Sequence, residues 1–229
     1  MTDRETFLSR IRECRRQQYH SPIADPGPDV PKPVLSPVEV SVLEEGLPAS
    51  ELIDHFTRML EDVGGHVVRL TDAKAASEWL VDFVTERSME RAVIAREVPL
   101  DDLAALADAG LVVTMPPAGA SVGHAAGEAF RQACIDADVG VTGADFAVAD
   151  TGTLVLLARS GAPRMVSLLP PTHVAIVRVD QFIANLPALI DHLRADVWPD
   201  GLPSAMTLIT GPSRTGDIEQ TLTIGAHGP

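Results

Sequence analysis

The segment RAVIAREVPLDDLAALADAGLVVTM, residues 91–115, decides the fold that we expect of this chain. It contains two short apolar runs, Arg91–Ala95 and Leu111–Met115, separated by a helical pattern from Leu100 to Ala109 that Gly110 ends. Apolar runs of this length that alternate with helices are typical of parallel strands joined by crossover helices. We therefore expect an α/β fold in three α/β/α layers, with a mostly parallel sheet and helices on both of its faces.

The same alternation extends in both directions from this segment. Apolar periodicity, with glycine and proline as breaks, predicts the remaining elements. The predicted strands are His66–Leu70, Arg164–Leu169, His173–Val179 and Ala205–Thr210, and two short strands lie within Val139–Leu157. The predicted helices are one from Ser50 to Asp62, Ala73–Glu86, Glu128–Asp138 and one that Asp180 caps and that continues to about Ala195.

Residues 1–48 differ in composition from the rest of the chain. Residues 1–19 are predicted to form a helix with a thin apolar face, which needs a surface to pack against. Residues 20–48 contain seven prolines and are expected to form an extended linker, because proline interrupts helices and central strands. One regular domain is then expected over residues 49–229.

Composition and charge exclude several kinds of partner. Hydrophobic residues make up 45% of the chain but aromatic residues only 4%, which favours a core of Ala, Val, Leu and Ile. The net charge of -14 argues against binding to nucleic acid or anionic lipid. Five of the 18 basic residues but only three of the 32 acidic ones lie in residues 1–20. This basic segment is expected to dock on an acidic surface, either the chain's own or a partner's.

No motif for a metal or nucleotide cofactor stands out. Cys14 and Cys134 are the two cysteines, too few for an iron–sulfur cluster, which usually takes four thiolates. The histidines show no metal-ligand spacing, and the glycines match no nucleotide-binding fingerprint. Residues 1–19 lack the apolar stretch of a secretory leader, and no apolar run is long enough to span a membrane. We therefore expect a cytoplasmic protein with reduced thiols, no metal and no membrane span.

The last nineteen residues, GPSRTGDIEQTLTIGAHGP, form the first candidate site. An apolar run that breaks at Gly211 and continues with hydroxyl-bearing residues predicts a strand, a tight turn and the start of a helix. Unpaired N–H groups and the macrodipole make a helix start a natural anion site. The expected ligand-binding residues are Gly211, Ser213, Arg214, Thr215, Asp217, Glu219 and His227. Alternatively, a hydroxyl only caps the helix and Arg214 pairs with the carboxylates of its first turn.

The second candidate site lies between the two short strands of Val139–Leu157. Small residues around Gly143 and Gly152 allow the backbone to approach a ligand closely, and carboxylates and hydroxyls lie beside them. We expect Asp145, Thr151, Gly152 and Thr153 to bind a ligand and Asp150 to act as a base or a nucleophile. Alternatively, the two aspartates only bond turn N–H groups. Both turns are expected at one edge of the sheet, at the carboxyl ends of their strands.

Four segments in order carry a resemblance to a known family. They are GADFAVADTGTL (residues 143–154), LPPTHVAIV (169–177), GPSRTGDIE (211–219) and GAHGP (225–229). Together they resemble the LUD-domain family of the lactate utilization protein C type. The resemblance implies a fold similar to the NagB/RpiA/CoA-transferase-like group. The family usually has Glu before Thr-Gly-Thr, whereas this chain has the shorter Asp150, which argues against a covalent role like that of a CoA-transferase glutamate.

Two functions follow from these observations. The resemblance implies a component without a cluster of its own that acts beside iron–sulfur subunits in the oxidation of L-lactate to pyruvate. The hydroxyl-and-arginine composition of the turns favours instead an enzyme or sensor that binds an anionic small molecule, such as a carboxylate, a sugar phosphate or a CoA ester. Whether the chain catalyses a reaction stays open.

Overall fold

The computed structural model describes residues 43–101, 103–118, 123–159, 161–201, 203–216, 222–224 and 229. The helix expected over residues 1–19 and most of the expected linker lie outside these residues. The chain divides into two units after Ser41, and all described residues belong to the second, Val42–Pro229.

The first sheet is parallel throughout. In the order β2-β1-β3-β6, its strands are Val112–Thr114, Arg91–Ile94, Val139–Gly143 and Thr172–Ile176. Successive side chains of a strand point to opposite faces, so Ala92 and Ile94 enter one core and Val93 enters another. Each face of the sheet therefore needs its own helices.

Helices cover both faces of this sheet. On one face lie α2 (Ala73–Glu86), whose N-cap Asp72 accepts a hydrogen bond from the Ala75 N–H, and α3 (Ala104–Asp108). On the other lie α4 (His124–Ile135) and the short α5 (Met165–Leu168). The α/β fold predicted from the sequence, with a mostly parallel sheet between helices, is confirmed.

The second sheet is mixed. In the order β7-β4-β5-β8, its strands are Phe182–Ile183, Phe146–Val148, Thr153–Ala158 and Ala205–Ile209. The β4–β7 pair is parallel, whereas β4–β5 and β5–β8 are antiparallel. The chain passes from the first sheet to the second within two residues, Ala144 and Asp145, so the two sheets are neighbours.

This second sheet also lies between helices. One face packs on α1 (Ala49–Asp62) through Leu52, Phe56 and Leu60. The other packs on α6 (Leu186–His192) and on the π-helical turn Leu193–Val197 that continues it. Leu43 and Leu47, which were assigned to the proline-rich linker, pack on the α1 core, and the Leu43 carbonyl accepts a hydrogen bond from Asn185.

Five local predictions are wrong. The segment Val139–Leu157 contributes to three strands, β3, β4 and β5, rather than two. His66–Leu70 has no regular secondary structure and pairs with no described strand, and Arg164–Leu169 contains a helix rather than a strand. Asp180 lies in a 3₁₀ turn, Val179–Gln181, that leads into β7, so the helix begins later, at Leu186. The chain after Gly211 does not start a helix, because it forms β9 (Arg214–Gly216), paired antiparallel with β10 (Leu222–Ile224).

Among the described residues, no helix combines the length and the apolar character that crossing a membrane requires.

Candidate functional site

The two turns predicted to carry function meet at one end of the second sheet. The amino end of β5 lies beside the carboxyl end of β8, because the two strands are antiparallel. The hydroxyl oxygens of Thr153 and Thr210 are 2.7 Å apart, and those of Thr151 and Thr153 are 2.8 Å apart. A line of three hydroxyls therefore joins the turns, which follow the carboxyl ends of β4 and β8.

Helix α1 lies directly over this meeting point. A Cβ atom on Gly152, whose φ is +63°, would lie 2.5 Å from the backbone nitrogen of Leu60. A Cβ atom on Gly211, whose φ is +81°, would lie 2.6 Å from the Val63 side chain. Both glycines are thus needed for close approach, which the sequence predicted for Gly152, but what approaches them is the end of α1 rather than a ligand.

Asp150 lies next to this turn, with one carboxylate oxygen buried. Its Oδ1 has no hydrogen-bond partner among the described residues. Burial raises the pKa of Asp150 above its usual value, and a hydrogen bond from Thr151 and the charge of His55 oppose the rise. His55, on α1, is fixed by a hydrogen bond of 3.2 Å between its Nδ1 and the Ala149 carbonyl oxygen. A carboxyl group and an imidazole, two kinds of group that general acid–base chemistry uses, are therefore neighbours here.

Arg214 has a partner in its own chain. Its guanidinium donates to the carbonyl of Val63, at the carboxyl end of α1, where a cation is favourable. The Ser213 N–H donates to the carbonyl oxygen of Pro229 over 2.8 Å. Thr215 is in β9, whereas Asp217, Glu219 and His227 lie outside the described residues. The predicted helix-start anion site is therefore absent from the described part of this turn.

Asp145 does not join the other candidate residues. It precedes β4 and lies beside the carboxyl end of β5, where its Oδ2 accepts the Leu157 N–H over 2.7 Å. Its Oδ1 accepts from Nη1 of Arg159 over 2.6 Å. Thr153 and the Asp150 turn are at the opposite end of the same strand. The expectation that Asp145 and Asp150 share one site is wrong, because β4 and β5 hold them apart.

A small cleft lies where Asp145 is. Its wall combines the carboxyl ends of β1 and β3 with the end of β5 and the start of α5. The polar residues lining it are Glu97, Thr142, Asp145, Arg164, Ser167 and Thr207. Its cavity volume is about 20 Å³, which is room for about one water molecule. The carboxyl edge of parallel strands is where open α/β sheets bind ligands.

Glu97 is the perturbed carboxyl group of this cleft. Burial raises the pKa of Glu97 above its usual value; the charge of Arg159 opposes the rise and that of Asp145 adds to it. Deeper in, the Thr142 hydroxyl lies 2.9 Å from Nε2 of His173. Burial lowers the pKa of His173 to about 4, so this imidazole is neutral at physiological pH.

Sequence reasoning missed Glu97, Arg159 and Arg164. Glu97 follows strand β1 within three residues, so the rule that ligands bind at carboxyl ends of parallel strands could have found it. The two arginines carry no such signal, because their position depends on a bend of the chain and on α5, which was predicted as a strand.

No group of three or more His, Cys, Asp or Glu side chains in the described ranges could hold a metal ion. Cys134 is free and buried in the α4 core, and burial raises the pKa of its thiol to about 11. This thiol is therefore neither a ready metal ligand nor a nucleophile.

Comparison with known proteins gives a consistent result. The sequence pattern described as the LUD domain matches residues 53–229. A protein named lactate utilization protein C from Halalkalibacterium halodurans is 39% identical over 108 residues, 46% of each chain. A protein of the same name from Shouchella clausii is 40% identical over 93 residues, which is 41% of each chain. Another from Bacillus subtilis is 39% identical over 95 residues, which is 41% of this chain and 39% of that one. The matches span less than half the length of these relatives.

One solved structure also matches. A DUF162 family protein from Deinococcus radiodurans has a TM-score of 0.49 and 22% sequence identity, over 72% of this chain and 89% of that one.

Proposed function

We propose, from the premise that this chain belongs to the LUD-domain family, that it acts in lactate utilization. In this proposal it is a component without an iron–sulfur cluster of its own. It works beside iron–sulfur partner subunits in the cytoplasm, in the oxidation of L-lactate to pyruvate. The observation that carries the proposal is the family match over residues 53–229, together with relatives of that name at about 40% identity.

Charge supports an association with partner subunits. Residues 1–20 carry a net positive charge within a chain of net charge -14, so the chain offers a basic segment and an acidic body to partners. The NagB/RpiA/CoA-transferase-like relationship belongs to the same proposal, supported by the parallel sheet between helices.

The test is deletion of the gene for this chain in its own host. The deletion strain should grow poorly on L-lactate and normally on pyruvate, because only the step between the two acids is blocked. The intact gene should restore growth. Equal growth of the deletion and parent strains on L-lactate would contradict the proposal. Affinity-purified chain should also bring iron and acid-labile sulfide with it from lactate-grown cells, and material free of both would remove the iron–sulfur partners from the proposal.

A second candidate function is binding of an anionic small molecule at the Gly143–Leu154 and Gly211–Glu219 turns, as an enzyme or a sensor. The nearness of Asp150 to His55, beside three linked hydroxyls, favours it. Arg214 would then have to exchange the Val63 carbonyl for the anion.

Thermal unfolding with added anions tests this second candidate. A ligand at about 100 times its dissociation constant stabilises by about 2.7 kcal/mol, which raises the Tm of a protein of this size by about 5–10 °C. Arg214→Lys should lose part of that shift, because an ammonium lacks the planar pair of donors. If the shift were the same in both proteins, Arg214 would not be a ligand-binding residue.

A further inference from the structure

The cleft beside Asp145 contains two pairs of opposite charges that are arranged differently. Asp145 and Arg159 satisfy each other at 2.6 Å, and Asp145 also accepts a backbone N–H. Glu97 and Arg164 also line this cleft but form no such ion pair with each other. Among the described residues no carboxylate lies within ion-pair distance of Arg164. Arg164 is exposed at the rim of the cleft. One cation and one carboxyl group therefore remain available to a ligand.

We propose that this cleft binds a short-chain carboxylic acid with an oxygen on its second carbon, held by Arg164 at the carboxylate and by Glu97 at that oxygen. This inference deepens the proposed function, on which it rests for the choice of L-lactate and pyruvate as ligands.

The chemistry of the two groups selects this class of ligand. A guanidinium binds a carboxylate through two parallel N–H donors. A carboxyl group that keeps its proton more readily than usual can donate to a carbonyl oxygen, and the same group without its proton can accept from a hydroxyl. The charge of Asp145 does not repel the ligand strongly, because Arg159 neutralises it.

Size narrows the class further. A cavity volume of about 20 Å³ takes about one water molecule, so only the polar end of a small acid can enter while the rest stays at the mouth. The hydroxyls of Ser167 and Thr207 line the same space, and Thr142 at the end of β3 is held by His173. The wall is therefore polar where the ligand's oxygens would lie.

The test is titration of the full chain with pyruvate, L-lactate and propionate. Calorimetry measures the affinity, and the backbone amide NMR shifts of Gly143 and Leu157 show whether the acid binds in the cleft. Pyruvate and L-lactate should bind, and propionate, which lacks the second oxygen, should bind about tenfold more weakly. Arg164→Gln should weaken pyruvate binding by about ten- to a hundredfold, because a charged hydrogen bond is lost. Arg131→Gln is the matched control, since Arg131 is an exposed arginine on α4 paired with Glu128. It should change nothing.

The pH dependence gives a readout that a structural role would not move. Pyruvate affinity should fall severalfold as pH rises and Glu97 loses its proton, and Glu97→Gln, whose amide always donates, should remove that dependence. The charges of Asp145 and Arg159 act on Glu97, and Arg164 lines the same cleft. Circular dichroism of each variant confirms that it is folded.

The outcomes separate this inference from the proposed function. Failure of all three acids to bind, or equal binding by Arg164→Gln and the parent, would overturn the cleft assignment while leaving the growth test untouched. If the purified chain binds the acids in the predicted order but the deletion strain grows normally on L-lactate, the cleft assignment stands and the proposed function is wrong.

Discussion

Replacing Gly152 by Ala tests how tightly helix α1 covers the Asp150 turn. Two costs add. At φ +63° an L side chain pays about 1–2 kcal/mol for the left-handed conformation. The new Cβ would lie 2.5 Å from the Leu60 nitrogen and 2.8 Å from the Met59 carbonyl carbon. These are backbone atoms of a helix and cannot rotate away, so the overlap costs about 1–3 kcal/mol more.

Gly110→Ala is the matched control. Gly110 has φ +87°, and nothing lies within 4 Å of the added Cβ, so this variant pays only the conformational cost. The expected loss of unfolding free energy is about 3 kcal/mol for Gly152→Ala and about 1.5 kcal/mol for Gly110→Ala. In a protein of this size these correspond to falls in Tm of about 10 °C and about 4 °C.

The assay is urea denaturation followed by circular dichroism, with the m-value checked for constancy. The difference between the two variants measures the contact with α1, since the conformational cost is common to both. Equal destabilisation would show that the space above Gly152 is open, and a ligand rather than α1 could then occupy it.

Three further predictions concern groups around the cleft and the core. Asp145→Ala should lower the free energy of unfolding, measured by urea denaturation, by about 2–3 kcal/mol, because the Leu157 N–H loses its charged acceptor. Asp145→Asn keeps an acceptor and should cost less. An equal loss in both variants would refute this hydrogen bond. Because the folded-state pKa of His173 is about 4, against 6.5 ordinarily, stability should fall as pH drops from about 6.5 to 4, and His173→Gln should flatten that slope. Native Cys134, with a pKa of about 11, should resist iodoacetamide at pH 8 and react in urea, as mass spectrometry of its peptide would show.

The fold could be predicted where local signals agreed with one another. The helix Ala73–Glu86 was predicted with its observed bounds, because a side chain able to cap it precedes an amphipathic pattern. Residues 66–70 have the composition of a strand, yet Val68 and Leu70 are exposed and no described strand pairs with them. A strand-like composition shows which residues suit a sheet, but it cannot say whether a neighbouring strand is present to pair with them.

The prediction of a strand at Arg164–Leu169 was wrong for a related reason. Four to six apolar residues fit a buried strand and a short helix equally well. Here the chain starts a turn at Pro163, whose carbonyl accepts the Val166 N–H, and the helix that follows packs over Gly140 of β3. A Cβ on Gly140 would collide with the Val166 carbonyl, so the glycine in the strand permits the helix. That relation joins residues 26 positions apart and is invisible to a local pattern.

The candidate site could be predicted in its residue types but not in its surroundings. Gly152 was predicted to allow a close approach, and it does; Gly211, predicted only as a turn residue, is approached as closely. The approaching group is α1, about 90 and 150 residues earlier in the chain, and no periodicity encodes that contact. Arg214 was predicted to face an anion beside a new helix, but β9 pairs with β10 and turns the guanidinium to the end of α1.

The geometry of β5 separates the two centres that remain. This strand has six residues, Thr153–Ala158, and therefore spans roughly 17 Å. The Asp150 turn is at its amino end, and the Asp145 cleft is at its carboxyl end. A three-carbon acid is too short to touch both, so a single small ligand cannot connect the two aspartates. If Asp150→Asn and Arg164→Gln impaired lactate-dependent growth to the same degree, the chain would need both centres, and they would have to act in separate steps or on separate partners.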